Sequence, residues 1–155
     1  IVFAGDDLAT KDNTIMSPNT YRELIKPIQK KYFKALHSMT DAKLMYHSCG
    51  NITPLIDDLV EIGVDILNPI QVSANNMSTE KLKKDYGDKL VFWGGIDTTE
   101  VLPKGDKNDV RKEVKKRISD LGPTGYVVAA VHDIQHDVSP ENIITLFETA
   151  LNFDL

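Results

Sequence analysis

Five times along this 155-residue chain, a short apolar run of strand length gives way to a segment whose apolar residues recur at helical spacing. That alternation is the pattern of parallel strands joined by helices, because parallel neighbours cannot be linked by a tight turn and need a crossover. The predicted strands run from Ile1 to Gly5, Lys43 to Tyr46, Asp65 to Asn68, Leu90 to Trp93 and Tyr126 to Val131. Their nearly unbroken apolar character fits strands covered on both faces.

The helices between them have readable starts. Ser17-Pro18 places a capping side chain before a proline that needs no amide partner, and Tyr21, Leu24, Ile25, Ile28, Tyr32 and Leu36 follow at helical spacing. Pro27 falls inside this pattern and predicts a kink. Thr53-Pro54 opens a second helix with Leu55, Ile56, Leu59 and Val60 inward. Ser78 opens a third with Leu82 and Tyr86, and Val110, Val114, Ile118 and Leu121 form the stripe of a fourth. Ser139-Pro140-Glu141 caps a fifth, with Ile143, Ile144, Phe147 and Leu151 inward. Gly63, Gly87 and Gly122 stand where helices should end, and the stretch from Lys104 to Asn108 reads as a polar loop.

Five βα units make an α/β fold with one domain over residues 1–155. They fit an open doubly wound sheet, or the later five-eighths of a (β/α)8 barrel; periodicity leaves both open. The chain starts at Ile1, already inside a strand, so the expectation is an N-terminally incomplete barrel. Its remainder would come from missing sequence or from another subunit, since a cut barrel exposes sheet edges. A net charge of −5 argues against nucleic acid as a partner, and no apolar run approaches membrane-spanning length. The lone cysteine, Cys49, excludes an internal disulfide and fits a cytoplasmic protein.

Ligands of parallel α/β folds bind at the carboxyl ends of the strands. In order, those ends carry Asp6 and Asp7; His47, Ser48 and Cys49; Asn68 and Gln71; Gly94, Gly95 and Asp97; then His132, Asp133 and Gln135. Every strand end thus holds a ligand-competent or proton-transferring group. Each has a plainer reading. The aspartates can start loops, Asp97 can cap a turn, Gly94-Gly95 can be a bend, and a histidine or cysteine can be core. His37 and His136 read as surface residues, and Trp93 as packing.

These residues also carry a resemblance. Asp6-Asp7-Leu8 with Ser17-Pro18-Asn19-Thr20-Tyr21-Arg22, His47-Ser48-Cys49-Gly50, the run from Glu61 to Gln71, Gly94-Gly95-Ile96-Asp97-Thr98, and Gly125-Tyr126 through His132 to Ser139-Pro140-Glu141-Asn142 resemble, in order, motifs of the uroporphyrinogen decarboxylase superfamily. The resemblance spans nearly the whole chain and implies the C-terminal part of a (β/α)8 barrel. It is closest in pattern to the cobamide-dependent methyltransferase branch. That branch implies zinc held through a His-x-Cys pair and a later cysteine, with the methyl group supplied by a corrinoid on a partner protein. Here His47 and Cys49 match the pair, but there is no second cysteine, and His132 stands nearest that position. The expected ligands are therefore His47, Cys49 and His132; zinc accepts such N/S sets.

The resemblance assigns catalytic roles to His132, Asp97 and Asp7, and contact with a small-molecule substrate to Asp6, Asn68, Gln71 and Gly95. The alternative it leaves is a cofactor-free uroporphyrinogen decarboxylase of porphyrin biosynthesis, with His132 as its strand-end histidine. A polyanionic tetrapyrrole calls for basic groups at the barrel mouth, and the three arginines Arg22, Arg111 and Arg117 all fall on predicted helices. A third reading is an inactive partial barrel. Two five-unit copies would not sum to eight strands, so closure by a homodimer is not expected.

Overall fold

A computed structural model describes residues 1–154; Leu155, the last residue of the expected domain, lies outside the described residues. Across the described residues one parallel sheet contains β1 (Val2–Gly5), β2 (Leu44–His47), β3 (Ile66–Ile70), β4 (Val91–Ile96) and β5 (Tyr126–Ala130), each strand beside the next in sequence. This order decides between the two architectures. A doubly wound sheet reverses its direction of strand addition at a switch point, and none occurs here. Sequential addition through right-handed crossovers puts all the connecting helices on one side, which is the winding of a (β/α)8 barrel.

Burial along the strands follows from that one-sided cover. Leu44 and Tyr46 of β2 are buried against helices, whereas Met45 and His47 alternate to the other face and are only half-buried. Phe3 of β1 on that open face is 61% exposed. Each strand lies close to its expected place, but β2 runs through His47 and β4 runs on to Ile96. His47 therefore sits on the sheet, in register with Asn68, and not in the following turn.

Ser17 caps the short helix α1 (Pro18–Thr20), its hydroxyl accepting the Thr20 amide at 3.0 Å. The chain continues through a π-helical turn, Tyr21–Ile25, into α2 (Lys26–Met39), which has Pro27 in its first turn. The expected disruption at Pro27 is thus a change of helix type just ahead of it, where the missing amide hydrogen has no helical bond to break. A 3-10 turn, Thr53–Leu55, leads into α3 (Ile56–Glu61), and Ser78 caps α4 (Thr79–Tyr86). The expected loop from Lys104 to Asn108 is shorter in the structure. Only Gly105 and Asp106 separate α5 (Val101–Lys104) from α6 (Lys107–Leu121), because the Asp106 side chain takes the Asn108 and Asp109 amides and starts the new helix. Ser139 caps α7 (Pro140–Leu151).

Tyr21, Phe33, Leu44, Tyr46, Leu59 and Phe92 fill the core behind β1 to β4, and Ile96, Leu102, Val110, Val114 and Leu146 the core behind β4 and β5. Each fully buried large side chain contributes about 1.5–3 kcal/mol relative to exposure. Two expected inward stripes are corrected. Leu24, Ile28 and Tyr32 on the first helix, and Ile144, Phe147 and Leu151 on the last, are exposed. These helices follow the outer strands and have a packed neighbour on one flank only, so half of each apolar face has nothing against it. Among the described residues no helix is long and apolar enough to cross a membrane.

Candidate metal centre

His47 ends β2 with its side chain on the open face, and the chain then turns through Ser48 to bring Cys49 back beside it. The turn closes at Gly50, whose φ of +89° suits glycine; a Cβ there would lie 2.3 Å from the Thr10 carbonyl oxygen. The result is a separation of 3.5 Å between His47 Nε2 and Cys49 Sγ. Ligand nitrogen and sulfur in a tetrahedral zinc site stand about 3.5 Å apart, given the usual bond lengths. His132, exposed just past β5, reaches across the strand ends and puts its Nε2 2.9 Å from the same sulfur. That distance is a hydrogen bond, so shared coordination requires the pair to open by about half an ångström. The two imidazole rings meet edge to face with centroids 6.1 Å apart.

The other ring nitrogen fixes how His47 presents itself. Its Nδ1 lies 2.7 Å from Asn68 Oδ1, while Asn68 Nδ2 donates to the Trp93 carbonyl at 3.4 Å. With its NH2 so engaged, the amide offers oxygen to the ring. His47 then carries its proton on Nδ1, and Nε2 keeps a free lone pair facing Cys49.

Asp7 completes the cluster. Its Oδ1 accepts the Cys49 amide at 3.0 Å, and the ligand atoms of Asp7, His47 and Cys49 all lie within 4.8 Å of one another. Burial, reinforced by the Asp7 carboxylate, pushes the Cys49 thiol up to about 11. Without a cation nearby, Cys49 is therefore a protonated thiol at neutral pH, with its hydrogen available to His132.

The remaining expected site residues divide between support and periphery. Asn68 has both ends of its amide occupied inside the protein. Gln71 accepts the Gly50 amide at 2.7 Å and braces the turn. Asp6 is exposed on the same rim, its backbone oxygen bonded by Tyr46 Oη at 3.4 Å. Gly95 has φ +88°, and a Cβ there would come within 3.1 Å of Tyr126 Oη, so packing alone calls for glycine. Asp97 is buried and accepts the amide and hydroxyl of Thr99, holding the turn after β4. His136 is exposed, and so is His37, whose ring bonds the Gly63 carbonyl.

Ser48, marked in the sequence only as a strand-end residue, and Asn51, not marked at all, clamp the site. Ser48 is fully buried and accepts the Leu8 amide at 3.0 Å; the Asn51 side chain donates to the Asp12 carbonyl at 2.8 Å, and its backbone amide donates to the Thr10 carbonyl at 2.8 Å. The loop after β1 is thereby laid over the Cys49 turn. A polar residue between His47 and Cys49 was the available signal, since strand alternation turns it away from the open face.

Asp7, His47 and Cys49 offer a carboxylate, an imidazole and a thiol within 4.8 Å of one another, a donor set of the kind zinc accepts, and the His132 imidazole adjoins it through the Cys49 sulfur. Residues 4–153 match the uroporphyrinogen decarboxylase (URO-D) family. Among solved structures, a methyltransferase from Methanosarcina mazei is similar with a TM-score of 0.73 and 19% sequence identity, over 97% of this chain and 41% of that one. The likeness is one of fold, and the chain spans less than half the length of that protein. No curated protein sequence matches. With residues 4–153 matched and its five strands added in sequential order, the chain belongs to the URO-D family.

Proposed function

We propose that this chain carries the metal-holding part of the active site of a methyltransferase that moves a methyl group from a corrinoid, carried by a partner protein, to a small thiol. The convergence of His47 and His132 on Cys49, at 3.5 and 2.9 Å, carries this reading, and the family and the methyltransferase fold relative support it.

His47, Cys49 and His132 are the residues that would hold zinc. Bound zinc would supply the positive charge that lowers the pKa of a substrate thiol and makes it a nucleophile at neutral pH. Asn68 keeps the His47 lone pair directed at the site. Asp7 and Gln71 hold the backbone of Cys49 and Gly50, so the sulfur does not swing away.

Decarboxylation of a porphyrinogen is less well supported. Arg22 is engaged by Asp58, Arg111 by Asn108 and Arg117 by Glu113, each through a side chain of the helical layer. None of the three stands ready for a substrate carboxylate.

Metal analysis of protein purified without chelators tests the proposal. We expect about one zinc per chain, lost on combining His47→Ala with Cys49→Ser. Absence of stoichiometric zinc, or its retention in the double variant, would overturn it.

A further inference from the structure

We propose that Asp7 is the exchangeable fourth donor of this centre, filling the position that a substrate thiol takes. The inference rests on the metal reading above and goes beyond its three donors. Three features lead to it. The ligand atoms of Asp7, His47 and Cys49 form the compact group, all within 4.8 Å, whereas His132 joins through the sulfur from the opposite strand. Only Oδ1 of Asp7 is engaged, by the Cys49 amide, and among the described residues no protein donor bonds Oδ2. Charge also favours it. Two neutral imidazoles and one thiolate bring a single negative charge to a divalent ion, and the Asp7 carboxylate makes the set neutral.

Exchange follows from where Asp7 sits. It is exposed, on the loop after β1, while His47 is held by Asn68 and Cys49 by its turn. A carboxylate is also the hardest of the four donors, and so the one a softer thiolate displaces from zinc most readily. The incoming thiol gives up its proton, and the freed carboxylate is a base at the right place to receive it.

Cobalt(II) in place of zinc makes this visible, because its visible absorption reports coordination number and thiolate bonding. Asp7→Asn is the discriminating variant: its amide oxygen still accepts the Cys49 amide, but it loses the anionic donor. In the wild-type protein we expect a four-coordinate cobalt spectrum with one thiolate charge-transfer band. Asp7→Asn should weaken cobalt binding roughly 10- to 100-fold and alter the ligand-field bands. Mercaptoethanol should bind the cobalt form of Asp7→Asn more tightly than wild type, since nothing has to be displaced. Unchanged spectrum and affinity in Asp7→Asn, with the charge-transfer band still abolished by Cys49→Ser, would overturn the role of Asp7 and leave the metal centre standing. Failure of the wild-type protein to bind cobalt at all would overturn both.

Discussion

The amide oxygen of Asn68 lies 2.7 Å from Nδ1 of His47, and this bond decides which ring nitrogen faces Cys49. The two residues are opposite each other in the register of β2 and β3, so the contact is built into the sheet. Replacing Asn68 by leucine removes the acceptor and frees the ring to adopt the other tautomer. Metal affinity, measured by chelator competition, should fall about 10- to 100-fold, with thermal stability little changed. Asn68→Asp keeps an acceptor and should bind at least as tightly as wild type. Equal affinity in Asn68→Leu would mean that the bond does not orient the ring.

Gly50 and Gly63 both have positive φ, but their surroundings differ. A Cβ on Gly50 would meet the Thr10 backbone at 2.3 Å, whereas on Gly63 it would meet only the His37 ring at 3.2 Å. Gly50→Ala should therefore cost more than about 2 kcal/mol and Gly63→Ala nearer 1 kcal/mol, by denaturant unfolding. Equal losses would show that the loop after β1 yields freely and does not clamp the Cys49 turn.

Asp58 is buried and bonded by Lys26 at 2.8 Å and Arg22 at 3.0 Å, tying the first long helix to α3. Asp58→Ala leaves Lys26, itself only 15% exposed, with Glu61 as its one remaining carboxylate. A loss of about 2–3 kcal/mol is expected, below the range for a fully buried pair because Arg22 remains half in water. A change under about 0.5 kcal/mol would place this network among surface ion pairs of little consequence.

Cys49 is the only cysteine, so alkylation reports one thiol. The reactive species is the thiolate, and burial with the Asp7 carboxylate raises this thiol to about 11. In metal-free protein the iodoacetamide rate should climb about tenfold per pH unit from pH 7 to 10, without levelling. A plateau near pH 9 would mean an ordinary, solvated thiol.

The sequence made the strand ends legible because β structure buried on both sides leaves a sharp boundary where polar residues begin. His47, Cys49 and His132 stand among the residues those boundaries mark, although 83 residues separate Cys49 from His132; grouping them as one ligand set took the family resemblance. Winding was not legible. A doubly wound sheet and a barrel segment share one periodicity, and only the pairing of β3 with β2 and β4 separates them. Periodicity likewise marked Ile28 and Phe147 as apolar without revealing that, among the described residues, both are left exposed. The bonds that Asn68 and Gln71 make to the His47 ring and the Gly50 amide were not legible either. Strand-end position says that a side chain can reach the site, but not whether it meets a substrate, a histidine ring or the Gly50 amide.

X-ray absorption at the zinc edge tests the central claim most directly. The proposed zinc centre predicts one sulfur at about 2.3 Å, with the remaining ligands nitrogen or oxygen at about 2.0–2.1 Å and imidazole scattering beyond them. The sulfur shell should vanish in Cys49→Ser. A shell of oxygen and nitrogen alone in the wild-type protein would contradict a centre built on Cys49.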